Sequence, residues 1–465
     1  MPDAFVTDKS FFKYMKCPAW IAREQEDAEE IQDRLLEKLQ DEGLLRKNAL
    51  ALLQERNVIE VDMDDAEEAA QKTWEHMKEG AQTIFGGVLM HGRWLARPDV
   101  LERVEGKSAL GDWYYVASDI KRSSRLKDEY IFQGVFYAEV LYHLQGVRPV
   151  KGYVLHANGV TSDYLIEDVS NDFHLALEDI EDILDGKKPE HFLTSGYKQS
   201  PYFYEFLQEV QSCDHLSLLN RVWKSEVRAL EDAGIKTVTQ LANASLEALQ
   251  NIKDLTMDRV YFLQQQAISL KEKKIITIGT VELPREDGIA LVIDIESDPL
   301  RDTDYLFGVL VVDGKDETYH SFLAKTPEDE EENWNEFVTF LTQYAGANIY
   351  HYGWYEVDVF RKLVARYGAP SEVERMFEDK MIDVLTRLRG HVIFPMPFYS
   401  LKDVAKHLGF SWRVKNASGP DSVLWYEAWL EHGDEQALQD TVDYNEDDVR
   451  ATWLLYKWAI DTVVI

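Results

Sequence analysis

The chain has 465 residues and a mass of 53.9 kDa, a length suited to about three domains. Its 84 acidic residues outweigh 50 basic ones, and the formal charge of −34 argues against a protein that coats phosphate backbone. A 45% hydrophobic and 29% charged composition excludes a disordered chain, and two cysteines exclude a disulfide framework or a four-thiolate metal site within it.

No apolar run reaches the ~18 residues of a membrane span. The opening, MPDAFVTDKSFFKYMKC, has no long apolar core, so no secretory signal is expected and a reducing cytoplasm is the predicted setting. Residues 1 to 80 read as mostly helical, with Ile and Leu at three- and four-residue spacing across Ala28 to Gln54. From Thr83 the period changes. TIFGGVLMHGRWLARPDVLERV reads as two short strands, WYYVASDIKRS as a third, DEYIFQGVFYAEVLYHLQG as a helix and VKGYVLHANG as a strand, together a small mixed α/β sheet. Residues 215 to 275 are predicted helical, broken by a Gly-Ile turn. From 275 onward strands IALVIDIES, LFGVLVVDG and NIYHYG alternate with helices, the last of them containing YNEDDVRATWLLYKWAI. The run EDEEE at 328–332 is read as a solvated loop or helix start. The expected fold class is therefore α/β multidomain.

Asp294 and Glu296 stand at i and i+2 of an apolar strand, on one face. Two carboxylates so placed repel each other unless a cation joins them, and Mg²⁺ or Mn²⁺ suits their oxygen ligands. Tyr444 and Asp448 lie one helical turn apart in YNEDDVRAT, and IYHYGWYEVDVF offers Glu356 and Asp358. This series resembles the DnaQ-like (DEDD) exonucleases of RNase H-like fold, in the subgroup with Tyr in the last motif. The resemblance implies that Asp294, Glu296 and Asp448 hold two metals while Tyr444 positions the attacking water for in-line phosphodiester hydrolysis. The second motif departs from the usual Asn-x-x-x-Phe-Asp. His351 to Glu356 occupies its place, which puts Glu356 at the acidic position with Asp358 as runner-up.

Asp99 follows Arg97-Pro98. Asp119 and Lys121 share a strand face in WYYVASDIK, and Gln133 and Tyr137 are one turn apart on the next helix. Asp-x-Lys alone is commonly a surface pair. The ordered set resembles the PD-(D/E)xK nucleases of RecB type. That resemblance implies metal binding by Asp99 and Asp119, water activation or charge stabilisation by Lys121, and strand contacts from Gln133 and Tyr137. Arg122, Arg125 and Lys127 add local positive charge. The opening FFKYMKCPAW is similar to RecB-type nucleases with an iron–sulfur cluster. Only Cys17 and Cys213 are present, so no cluster is expected and both are read as buried thiols or remnants. The upstream acid or His of that family is not identified, His76 and Glu79 being the nearest candidates.

Leu230 to Ala267 resembles tandem helix–hairpin–helix elements, whose turns offer backbone N–H groups to phosphate. Gly234-Ile235-Lys236-Thr237 fits the first turn, whereas the second, Ile252 to Thr256, has Asp where Gly is expected. The whole order resembles a family of RecB-like nucleases. It implies a RecB-type domain over 1–214, a hairpin region over 215–274 and an RNase H-like exonuclease domain over 275–465. The implied partner is nucleic acid, DNA before RNA, with no membrane role and no protein partner indicated. A degenerate nuclease-like scaffold and an RNA exonuclease with an inactive N-terminal domain remain open alternatives, as does a saline cytosol as the origin of the acidity.

Overall fold

The computed structural model describes residues 5–26, 57–61, 64–121, 126–156, 160–250, 252–299, 301–415 and 417–463. The helix expected over Ala28 to Gln54 lies outside them, as do Arg122 and Arg125. The chain forms two compact units, Met1–Glu209 and Val210–Ile465, so the helical segment after residue 215 belongs to the second.

In the first unit, strands β1 (Val6–Thr7), β2 (Val58–Glu60), β3 (Thr83–Phe85), β4 (Leu89–His91), β5 (Trp94–Ala96), β6 (Val100–Ser108), β7 (Gly111–Lys121), β8 (Lys151–His156) and β9 (Thr161–Leu165) make two sheets. The larger has the order β2-β3-β6-β7-β8-β9, and the smaller is β1-β5-β4. β3, β6 and β7 form an antiparallel meander, and β8 returns parallel to β7 after the helix Asp128–Gln145. A parallel return needs such a crossover. That helix stops at Gly146, whose φ of 74° closes it in the left-handed conformation. The stretch expected to hold two strands holds four. Gly86 and Gly92, both at positive φ, turn the chain twice between the short strands, so the apolar run is folded rather than extended. Met77, Ile84, Leu101, Tyr115 and Phe136 are among the side chains that fill the core between sheet and helices.

The second unit opens with short helices. Gly234, at φ 88°, makes the first predicted turn. Asp254, at φ 63°, takes the corresponding left-handed position in the second, a conformation Asp tolerates better than most residues. Thr237 and Thr256 then cap the helices Val238–Ala242 and Met257–Glu272. β10 (Ile276–Thr277) leads into β11 (Ile289–Asp298), β12 (Thr303–Asp313), β13 (Asp316–Leu323), β14 (Asn348–His351), β15 (Met381–Asp383) and β16 (Val392–Ile393). The main sheet has the order β13-β12-β11-β14-β15, antiparallel among β11 to β13 and parallel from β11 to β15. β11 is central and buried on both faces. Leu291, Ile293 and Ile295 pack with Trp334 and Phe337 on one side. Ala290 and Val292 pack with Val449, Trp453 and Tyr456 of the helix Glu435–Thr462 on the other. The acidic run at 328–332 enters the helix Glu330–Leu341, where carboxylates suit the N-terminal end of the helix dipole.

Candidate metal centres

Strand parity decides what the C-terminal helix meets. Asp294 and Glu296 continue the even-numbered face of β11, the face covered by the helix Glu435–Thr462. That helix presents Tyr444 and Asp448, one turn apart. Carboxylate oxygens of Asp294, Glu296 and Asp448 come within 4.8 Å of one another. A register shift in the β11–β12 pairing falls between Glu296 and Ser297 and ends the regular ladder at the site.

Each acid is held by a donor. Asn445 Nδ2 reaches Asp294 Oδ2 at 2.8 Å, Ser422 Oγ reaches Glu296 Oε2 at 2.6 Å, and Trp412 Nε1 reaches Asp448 Oδ1 at 2.6 Å. Asn445 is itself fixed by the Tyr319 hydroxyl at 2.8 Å, in the space left by Gly308. None of these supporting residues was singled out from sequence. Asn445 adjoins Tyr444 in the motif and carried a signal; Trp412 and Ser422 lie outside every motif and carried none.

Burial, then mutual repulsion, governs the acids. Burial and the charges of Asp448, Glu296 and Glu356 push the Asp294 carboxyl well above the usual range. Burial followed by the Asp448 charge pushes Glu296 up to about 8. Burial lifts Asp448 to about 7 against the donors that oppose it. Such a set is ill-suited to being three anions without a counter-charge. Its hard oxygen donors fit a divalent cation, which would release the retained protons. The Tyr444 hydroxyl, bonded to Asp448, is held protonated by burial and by the surrounding carboxylates.

Glu356 and Asp358 separate cleanly. Glu356 is 3% exposed, lies 3.4 Å from His351 Nδ1, and adds to the repulsion at Asp294. Asp358 is exposed and pairs with Arg361 at 3.8 Å. A cavity of about 610 Å³ opens beside His351, with Trp354, Arg361, Asp383 and Arg387 in its lining.

The first unit brings together the other predicted set. Asp119 Oδ2 accepts Lys121 Nζ at 2.8 Å and the Tyr137 hydroxyl at 3.0 Å. Asp99 Oδ2 accepts the Ile120 N–H at 2.7 Å, and the Asp99 N–H lies 3.4 Å from Asp119 Oδ1. Lys121 also sits over the Tyr130 ring at 5.3 Å. Gln133 Nε2 reaches the Asp8 carbonyl at 3.5 Å, while its Oε1 is buried with no hydrogen-bond partner among the described residues. The side chain of Asp8 belongs to this group and was missed. Burial first, then the Asp119 charge, pushes its carboxyl up to about 6. It lies three residues before the motif FFKYMKCPAW, at the start of the helix Asp8–Lys16, whereas the sequence candidates for the upstream acid lie on the later helix. There His76 pairs with Glu79 at 3.5 Å within their own helix. Tyr164 is a further neighbour. It feels the Asp119 charge and its ring fills the space left by Gly134 and Gly152.

Cys17 is sealed, and burial pushes its thiol up to about 12. Cys213, read as a buried thiol or a remnant, is exposed just beyond the helix Phe203–Ser212. Among the described residues no helix is long and apolar enough to cross a membrane.

The RNase_H superfamily model matches residues 291–460. No curated protein matches the chain. That span contains most of β11 and most of the long helix, and with them all three clustered acids. Residues 291–460 are thus similar to the RNase_H superfamily, a likeness that supports an RNase H-like fold there and suggests nuclease-type activity, and the Asp294, Glu296 and Asp448 triad fits metal binding.

Proposed function

We propose that this chain is a metal-dependent nuclease that hydrolyses phosphodiester bonds of single-stranded DNA from an end, with its principal centre at Asp294, Glu296, Glu356, Asp448 and Tyr444. The observation that carries the reading is the convergence of three carboxylates, Glu296 buried and Asp294 and Asp448 half-buried, from two separate elements, with a tyrosine hydroxyl bonded to one of them. Asp294, Glu296 and Asp448 would hold Mg²⁺ or Mn²⁺, which would supply Lewis-acid activation of water and neutralisation of phosphate charge. The chain's own groups do the rest. Asn445, Ser422 and Trp412 fix the orientation of the three carboxylates. Tyr444, its hydroxyl bonded to Asp448, would orient the attacking water by hydrogen bonding. Glu356 completes the acidic set from the second motif, and the cavity beside its neighbour His351 offers Trp354 for base stacking and Arg361 and Arg387 for phosphate.

The first unit supports a second centre of PD-(D/E)xK type. A helix, an antiparallel meander, a crossover helix and a parallel strand converge on Asp99, Asp119 and Lys121, with Asp8 as the additional acid. Lys121 is held against Asp119, where its ammonium would meet charge developing on phosphate. Gln133 and Tyr137, together with Arg122 and Arg125, are assigned to strand contact. The domain limits remain 1–214, 215–274 and 275–465, with a role in DNA processing or repair.

The test is hydrolysis of end-labelled single- and double-stranded DNA and RNA with Mg²⁺ or Mn²⁺, comparing wild type with Asp294→Ala and Lys121→Ala. Loss only with Asp294→Ala assigns activity to the C-terminal centre. Loss only with Lys121→Ala assigns it to the first unit, and partial loss with each means two working centres. No cleavage of any substrate by wild type refutes the enzyme reading and favours a scaffold.

A further inference from the structure

We propose that Lys402 is a catalytic residue of the C-terminal centre, donating from Nζ to a non-bridging oxygen of the scissile phosphate; this rests on the nuclease reading above. Lys402 lies in the first turn of the helix Leu401–His407, which Ser400 caps. Its Nζ stands 4.9 Å from the Tyr444 ring centroid and 5.6 Å from that of Trp412. Both aromatic side chains are bonded to Asp448, so the ammonium is lodged in the wall of the acidic cluster. Glu296 and Asp448 both feel its charge. Yet Nζ is shut off from solvent and has no hydrogen-bond partner among the described residues.

That combination is informative. An ammonium placed only for stability would be expected to close on Asp448 or Glu296 as a hydrogen-bonded ion pair. Here Trp412 bonds one oxygen of Asp448 and Ser422 one oxygen of Glu296, yet the lysine closes on neither carboxylate and is left with three N–H donors and two aromatic faces. A buried cation without an acceptor is costly. The ring faces offset part of that cost by cation–π attraction. The missing partner is an anion that arrives with the substrate. Phosphate oxygens brought to a centre bounded by Glu296 and Asp448 supply it, and a donor already fixed in place needs no reorganisation as charge develops.

The experiment uses the full chain with Lys402→Met, which keeps the stem and removes the charge, and Lys402→Gln as a second variant. Binding of a fluorescein-labelled single-stranded oligonucleotide, as DNA and as RNA, is followed by anisotropy across a salt series in Ca²⁺. Loss of one phosphate contact should weaken binding and reduce the slope of log K against log salt by about 0.7. With Mn²⁺, kcat should fall by roughly 10²–10³-fold while the Mn²⁺-induced rise in Tm stays that of wild type. The metal-free Tm of the Met variant should equal or exceed that of wild type. Unchanged salt slope and kcat in both variants overturn the proposal, as does a large fall in metal-free Tm in both, which would make Lys402 structural. If wild type binds but does not cut, the nuclease reading fails and the salt slope alone decides Lys402. If wild type binds neither oligonucleotide, both fail.

Discussion

Asp448→Asn should stabilise the metal-free protein at alkaline pH while abolishing its response to Mn²⁺. Among the neighbouring charges, that of Asp448 acts most strongly on both Asp294 and Glu296. The substitution removes that charge but keeps an oxygen for the Trp412 indole N–H, 2.6 Å away in wild type. Glu296 rises from 4.5 to about 8 and Asp448 from 3.8 to about 7. Groups raised on folding retain protons that the unfolded chain releases, so stability falls as pH rises. The contribution is whole below about pH 4 and is lost as pH climbs through 7 to 8. At ~1.4 kcal/mol per pKa unit, one such carboxyl is worth on the order of 4 kcal/mol. The two are counted once, since removing either charge relieves the other. At about 2–4 °C per kcal/mol, wild type in EDTA should lose roughly 10 °C in Tm between pH 5 and 8.5. The variant should lose about half as much, the two converging at pH 5. Mn²⁺ at about a hundred times its Kd adds ~2.7 kcal/mol to wild type by linkage and little to the variant. Differential scanning fluorimetry in EDTA and in Mn²⁺ across this range reads all of it. Parallel pH profiles for the two proteins, or an undiminished Mn²⁺ shift in Asp448→Asn, would refute the picture of mutually repelling carboxylates.

Glu356→Gln should lower Mn²⁺ affinity and cleavage by at least about tenfold, whereas Asp358→Asn, exposed and paired along its own helix with Arg361, should stay within about 0.5 kcal/mol of wild type in stability and match its activity; equal effects from the two would remove Glu356 from the centre. Gly308→Ala should disturb the centre without touching an acid. The added methyl would land on Asn445 Oδ1, which Tyr319 holds in place, so Asp294 would lose its donor. A cost of about 1–3 kcal/mol in stability together with weaker Mn²⁺ binding is expected, and wild-type metal binding in a folded Gly308→Ala would exclude Asn445 as the residue that orients Asp294.

The parts of this architecture that were legible in sequence are those with a strict period or a strict spacing. Period two put Asp294 and Glu296 on one strand face, and period 3.6 put Tyr444 and Asp448 on one helix face. The centre then follows once the strand and helix pack face to face. What was not legible has two causes. Supporting contacts such as Trp412 to Asp448 and Ser422 to Glu296 join residues 36 and 126 positions apart, with no local pattern to announce them. Short strands were also hidden. β3, β4 and β5 span only three residues each, too few for alternation to show, and glycine turns divide them inside one apolar run. The second hairpin turn fails for a different reason. A Gly-based rule rejects it, although Asp254 adopts the same left-handed backbone. Asp8 was passed over because a first-turn acid reads as an ordinary helix start, and only the tertiary fold sets it beside Asp119.

The net charge of −34 bears on how such a chain would meet a polyanion. Several of its cations are already committed. Arg301 pairs with Asp298 and Glu427, Arg366 with Asp302 and Glu330, and Arg413 with Asp443, Glu446 and Asp447. A long strand laid across this surface is repelled at each phosphate within a Debye length, about 8 Å at physiological salt. A strand end presents phosphates on one side only and meets roughly half that repulsion. If attraction came mainly from metal-loaded centres and fixed cations such as Lys402, acidity would favour strand ends, as the proposed exonucleolytic reading requires. The selection should weaken as salt screens it. Closed circular single strands should resist cleavage at low salt while linear strands of the same sequence are degraded, and the ratio of the two rates should narrow as ionic strength rises. Circles cut as fast as linear strands at low salt would show that the acidic surface takes no part in choosing the substrate.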